Sequence, residues 1–124
     1  MKKKSYKITF ALKEGYSPGG KVHPIADAGK IIKEWMAVRL SAGQPVVSGL
    51  LQEGQLFFPA VEGSKELVTV SPTAVYYGEL ASPEELKRKN KEVKVTLESL
   101  AGQLKSGLKQ EAVFIIYRDV HWCV

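Results

Sequence analysis

Apolar and polar positions alternate near the start of the chain. Tyr6, Ile8, Phe10 and Leu12 are separated by Lys7, Thr9 and Ala11, the period of two that marks a half-buried strand. Lys13–Val22 then holds Gly15, Pro18, Gly19 and Gly20, a loop that is long for so small a chain. Pro24 suits a first helical turn. After it Ala28, Ile31, Ile32, Trp35 and Val38 recur at helical spacing, with Met36 and Leu40 widening the stripe and Lys30, Lys33, Glu34 and Arg39 on the other side. The pattern predicts a helix over Ile25–Ala42, stopped by Gly43.

Pro45–Leu51 and Gln55–Val61 are two apolar runs separated by Gln52-Glu53-Gly54, which predicts a β-hairpin turning on the glycine. Glu66–Leu80 is a long extended segment rich in Val, Thr and Tyr, and Pro72 within it predicts a bulge, a break or an edge position. Ser82-Pro83-Glu84-Glu85 carries a capping serine, a proline at the first helical position and a glutamate that completes a capping box. The helix it opens should run to about Ser106 on a stripe of Leu86, Val93, Leu97, Leu100 and Leu104, ended by Gly107 and Leu108. Ala112–Tyr117 is continuously apolar and reads as a central strand buried on both faces, with Arg118–Val124 able to extend it.

The order is β-α-β-β-β-α-β. Two helices are too few to cover both faces of a parallel sheet. The expected fold class is therefore α+β and ferredoxin-like, a mostly antiparallel sheet with two helices on one face. The other face needs water, a ligand or a second subunit, and a homodimer fits it. The 124 residues make one domain, with Met1–Ser5 as a flexible basic leader.

Composition changes this picture little. The chain is 44% hydrophobic and 25% charged, ordinary globular values. The formal charge of +5 favours acidic partners, but Lys2, Lys3 and Lys4 supply a basic leader by themselves. Cys123 is the lone cysteine, so no intrachain disulfide forms, as suits a reducing compartment. No apolar run approaches the roughly 20 residues that span a bilayer, and no secretory signal is visible. The expected location is the cytoplasm, with no membrane partner.

The pattern resembles a family of small ferredoxin-like domains of unknown function. The likeness is carried by the first strand with its Gly-rich loop, the helix ending near Leu40–Gly43, Pro45-Val46-Val47-Ser48-Gly49 running to Gly54-Gln55-Leu56-Phe57, and Lys109-Gln110-Glu111-Ala112-Val113 before the final strand. The resemblance implies a fold and no reaction.

No nucleophile, base and orienting group occur together in a recognisable catalytic pattern, and neither a cofactor nor a metal is expected. His121 and Cys123 would share one side of an extended tail, joined by Asp119, but a terminal strand is a poor platform for a metal or thiol site. Tyr16, Tyr76, Tyr77 and Tyr117, with Arg118, could line a small-molecule pocket, since tyrosine offers apolar area and a polar handle. His23 stands at a helix start, where an imidazole can bind an anion or act as a base. Lys87, Arg88 and Lys91, on the expected second helix, could meet phosphates. Gln55-Leu56-Phe57-Phe58-Pro59 lacks the basic-Gly-aromatic pattern of sheet-based RNA binders, so nucleic acid is not favoured. The reading is a small binding or interaction module that takes a small molecule or a protein through the open sheet face and the Lys13–Val22 loop. Two alternatives stand beside it: an enzyme whose pocket is enclosed in a dimeric α+β barrel, and a nucleic-acid binder acting through the lysine-rich helix.

Overall fold

The computed structural model describes residues 4–15, 19–60, 63 and 65–124. Its elements are β1 (Ser5–Ala11), α1 (Ile25–Ser41), β2 (Leu50–Pro59), β3 (Val68–Glu79), a one-turn α2 (Pro83–Leu86), α3 (Asn90–Gly107), β4 (Phe114–Tyr117) and β5 (Val120–Cys123). The strands form one sheet in the order β2-β3-β1-β4-β5, and every neighbouring pair is antiparallel. The chain is thus α+β.

Alternation on β1 decides which sheet face is covered. Tyr6, Ile8 and Phe10 are buried, together with Ala74 and Tyr76 of β3 and Ile115 and Tyr117 of β4. Against this face lie Ala28, Ile32 and Trp35 of α1 and Val93, Leu97, Leu100, Ala101 and Leu104 of α3. Both long helices cover one face, and Lys7, Thr9, Val75, Tyr77, Phe114 and Ile116 occupy the other by register.

The order of elements departs from expectation in the middle of the chain. Pro45–Leu51 and Gln55–Val61 were expected to pair with each other. Instead Leu50–Pro59 is one ten-residue strand that pairs along its whole length with β3, Gly54 lying opposite Thr73. A continuous ladder outweighs the turn preference of a single glycine. The real hairpin joins β2 to β3, and the fifth strand comes from the tail. Pro72 neither breaks nor bulges β3. The β1 ladder ends beside it at Thr73, so no donor is missed, and its carbonyl accepts from the Leu12 N–H at 3.0 Å.

Segment Pro45–Gly49 is instead pinned beneath the sheet end. The Tyr6 hydroxyl donates to the Ser48 carbonyl, and the Tyr76 hydroxyl donates to the Val47 carbonyl at 2.9 Å. The two rings lie 6.1 Å apart. Burial raises the ionisation of both tyrosines above the ordinary value, and for Tyr6 the Tyr76 hydroxyl adds to it. Gly49 makes this approach possible, because a Cβ there would sit 2.4 Å from the Tyr6 hydroxyl and 2.8 Å from the Tyr76 ring.

The second helix is interrupted. Ser82 and Glu85 form the expected capping box, but α2 ends at Leu86 and α3 restarts after Lys89. The Lys4 ammonium donates to the freed Leu86 and Arg88 carbonyls at 3.0 Å each. Lys4 and Ser5 are therefore held rather than loose: the Lys4 carbonyl accepts from Leu80 N–H and the Ser5 carbonyl from Arg118 N–H. Residues 1–3 of the expected leader lie outside the described residues. Gly107 is the last residue of α3, and a Cβ there would lie 2.5 Å from Ile31 Cδ1. It admits close helix packing, and the positive φ after the helix belongs to Lys109. β4 is half-buried instead of buried on both faces, since Phe114 is 57% exposed. β1 is the central strand.

Candidate functional site

The open face of the sheet collects polar groups on an apolar floor. Register places Lys7 between Tyr77 on β3 and Ile116 on β4, and Val75 opposite Gln52 on β2. These residues, with Glu79, border a cleft of about 570 Å³. The Tyr77 hydroxyl donates to Gln52 Oε1 at 3.0 Å, which fixes the ring and leaves the Gln52 amide N–H groups as donors. Glu79 lies opposite Ser5, one step along the same face from the Lys7–Tyr77 pair. The arrangement offers an ammonium, a carboxylate, an aromatic ring and an amide above the side chains of Val75 and Ile116. Such a set suits a small ligand that is apolar in its middle and charged at its ends.

A second hollow of about 240 Å³ adjoins the first on the same face. Phe114, Leu56, Phe58 and Ala112 give it apolar walls, and Lys13 and Gly15 form its rim. The base of the Lys13–Val22 loop thus reaches the open face. That base is held by the Lys13–Val22 bridge, by Glu14 N–H to the Lys21 carbonyl at 2.8 Å and by His23 N–H to the Leu12 carbonyl at 2.7 Å. Gln110 ties it to the body by donating to the Lys13 carbonyl at 3.2 Å.

The residues singled out in the sequence do not gather in one place. His23 is 7% exposed, and its ring sits between two carboxylates, Glu14 Oε2 at 2.6 Å from Nε2 and Asp27 Oδ2 at 3.2 Å from Nδ1. It clasps the loop to the first turn of α1, with both ring nitrogens engaged. Tyr76 and Tyr117 were expected to line a pocket, but strand alternation turns both into the core. The Tyr76 hydroxyl is used by Val47, and that of Tyr117 donates to Asn90 Oδ1 at 2.8 Å. Burial raises the ionisation of Tyr117, partly offset by nearby Arg118. Arg118 takes a left-handed φ of 59° in the β4–β5 turn and borders a small dent of about 70 Å³ beside Asn90. Tyr16 lies outside the described residues.

Lys87, Arg88 and Lys91 do not share one helix. Lys87 caps α2 and Lys91 lies in the first turn of α3. The Arg88 guanidinium between them donates to the Val46 carbonyl at 2.7 Å. His121 and Cys123 do share the open-face side of β5, opposite Ile116 and Phe114. Among the described residues no three His, Cys, Asp or Glu side chains are grouped as metal ligands, and no helix is long and apolar enough to cross a membrane.

Tyr77, one of the tyrosines expected to line a pocket, does border the cleft; Lys7, Gln52 and Glu79 carried no functional expectation from the sequence. The signal was the period of two: if Tyr6 and Tyr76 face the core, Lys7 and Tyr77 must face away. Gln52 was hidden because it sat in a predicted turn.

Comparison with known proteins adds a fold. No family model and no curated protein sequence matches the chain. Among solved structures, a phage SAM lyase in complex with S-methyl-5'-thioadenosine superposes with a TM-score of 0.64 at 16% identity, covering 98% of this chain and 88% of that one. The apo state of a phage SAM lyase gives the same TM-score and identity over 97% and 86%. At that identity the likeness shows a shared fold, extending over nearly the whole chain.

Proposed function

We propose that this chain is a cytoplasmic small-molecule-binding protein with a ferredoxin-like plan, β1-α1-β2-β3-α3-β4, to which β5 is appended. Its ligand is an adenosyl sulfonium or thioether of the S-adenosylmethionine class, bound on the open sheet face. The observation that carries the reading is the convergence of Lys7, Gln52, Tyr77 and Glu79 on that face. The fold shared with a protein solved with S-methyl-5'-thioadenosine supports the choice of ligand.

The chemistry of the ligand matches the groups present. A sulfonium and an α-ammonium are cations that a carboxylate such as Glu79 attracts. A carboxylate on the ligand pairs with the Lys7 ammonium. The Tyr77 face accepts either a purine ring or the sulfonium through its quadrupole. Attack of the ligand's own carboxylate oxygen on the γ-carbon of its amino-acid chain would close a lactone as the C–S bond breaks, and the bonding pair would leave on sulfur as a neutral thioether that needs no proton. A site that orients the sulfonium and holds its charges therefore suffices for turnover, with no Ser-His-Asp arrangement.

Calorimetry with S-adenosylmethionine and with S-methyl-5'-thioadenosine tests this. Both should bind. Tyr77→Ala should weaken both at least tenfold, and Glu79→Gln should weaken only the charged sulfonium. Absence of heat with either ligand, or equal loss of both in Glu79→Gln, refutes the reading. Mass spectrometry of the same mixtures separates a binder, which leaves S-adenosylmethionine intact, from a lyase, which yields the thioether faster than buffer alone.

A further inference from the structure

The distal half of the β2–β3 hairpin is apolar on both faces. Register puts Leu56 and Phe58 on the open-face side, and Phe57, Val68 and Val70 on the side of the helices. Yet Phe57 is 64% exposed, and Leu56, Val68 and Val70 are about half exposed. Leu67 beside the turn is 88% exposed. The hairpin therefore forms an arm reaching beyond the helix layer. Its outer strand β2 is a sheet edge of ten residues whose last is Pro59 and whose one charge is Glu53. Soluble proteins ordinarily blunt such edges with lysine, bulges or brevity. On its open side the arm runs into the hollow walled by Leu56, Phe58 and Phe114.

We infer that the arm and this hollow are the contact surface for a second copy of the chain. Three observations select that occupant. First, an aromatic side chain carries about 150–250 Å², so the arm and hollow together present on the order of several hundred Å². That reaches or exceeds the largest patch of a typical monomer, about 300–600 Å², and approaches the roughly 800 Å² per partner of a standard interface. Second, the chain carries +5 overall, but the described residues of the arm hold only Glu53, Lys65 and Glu66. With Lys13 and Glu111 at the hollow, the few charges where copies would meet are of both signs and nearly balance, so like-charge repulsion between copies is small there and the surface shows no basic excess for an acidic partner. Third, each copy carries both a projecting apolar arm and an apolar hollow, so the arm of one copy can enter the hollow of the next, a contact between unlike patches that forms a ring when its rotation closes. The covered face is the one assigned to the ligand, and in that respect alone the inference rests on the functional reading. A second copy would wall the Lys7–Tyr77 cleft on its open side.

The test is the mass of the purified full chain in solution by light scattering and native mass spectrometry. The expected result is a closed oligomer of at least two 13.7 kDa chains. Phe57→Lys on the arm and Phe114→Lys in the hollow should each convert it to monomer with an unchanged circular dichroism spectrum. Val38→Lys, on an exposed apolar position of α1, should leave the assembly intact. A monomeric wild type at 100-fold dilution and at full concentration alike overturns the inference, as does an oligomer that survives both arm and hollow substitutions. An arm-dependent oligomer that binds neither adenosyl ligand sustains the interface while the ligand reading fails. Ligand binding by a strict monomer does the reverse.

Discussion

Gly49→Ala tests how the strand end is built. The added methyl would lie 2.4 Å from the Tyr6 hydroxyl, 2.8 Å from the Tyr76 ring and 2.9 Å from the Tyr77 carbonyl. None of these is the loose end of a flexible chain: both tyrosines are buried and hydrogen-bonded, and the carbonyl belongs to β3. Overpacking of this kind destabilises by about 1–3 kcal/mol. Displacing the Tyr6 hydroxyl also breaks its bond to the Ser48 carbonyl, about 0.5–1.5 kcal/mol. The expected loss is about 2–4 kcal/mol. With a urea m-value of about 1–3 kcal/mol/M, the unfolding midpoint should fall by about 1–2 M at unchanged slope. Gly54→Ala is the control, since its methyl meets nothing within 4 Å, and it should be neutral or stabilising by about 0.4–1 kcal/mol. If Gly49→Ala unfolds at the wild-type midpoint, the close approach of Val47–Gly49 to the tyrosine pair is wrong. If both glycines cost the same, the effect is backbone entropy and packing plays no part.

Two further outcomes follow from the same geometry. His23→Ala removes the clasp between Glu14 and Asp27 and should cost about 1.5–3 kcal/mol, the range for hydrogen bonds to charged groups; it should also speed proteolytic cutting between Glu14 and Lys21, and equal cutting rates would count against the clasp. Tyr6, Tyr76 and Tyr117 are all held above the ordinary value near 10 by burial. A folded-state value above the unfolded one means their contribution is complete below pH 10 and is lost as pH rises beyond it. Urea midpoints should therefore be flat from pH 7 to about 9 and fall above about 10, less steeply in Tyr6→Phe. A 295 nm titration of the folded chain should show Tyr6, Tyr76 and Tyr117 ionising above the ordinary tyrosine range.

Much of the local structure was written in the residues. The alternation of Tyr6, Ile8 and Phe10, the helical stripe from Ala28 to Trp35 and the Ser82–Glu85 capping box each act within one turn or one strand, so nearest neighbours decide them. The α+β class followed from the balance of strands and helices. Non-local pairing was not legible. Gly54 looks like a turn until β3 lies beside it, and Lys87–Lys89 look helical until Lys4 claims the carbonyls of Leu86 and Arg88. The candidate site suffered most. Period two separates Tyr76 from Tyr77 but cannot say which of them meets the helices. Only the packing of α1 and α3 against Tyr6, Ile8 and Phe10 decides that, because burial of that larger apolar set turns Lys7, Tyr77 and Glu79 outward.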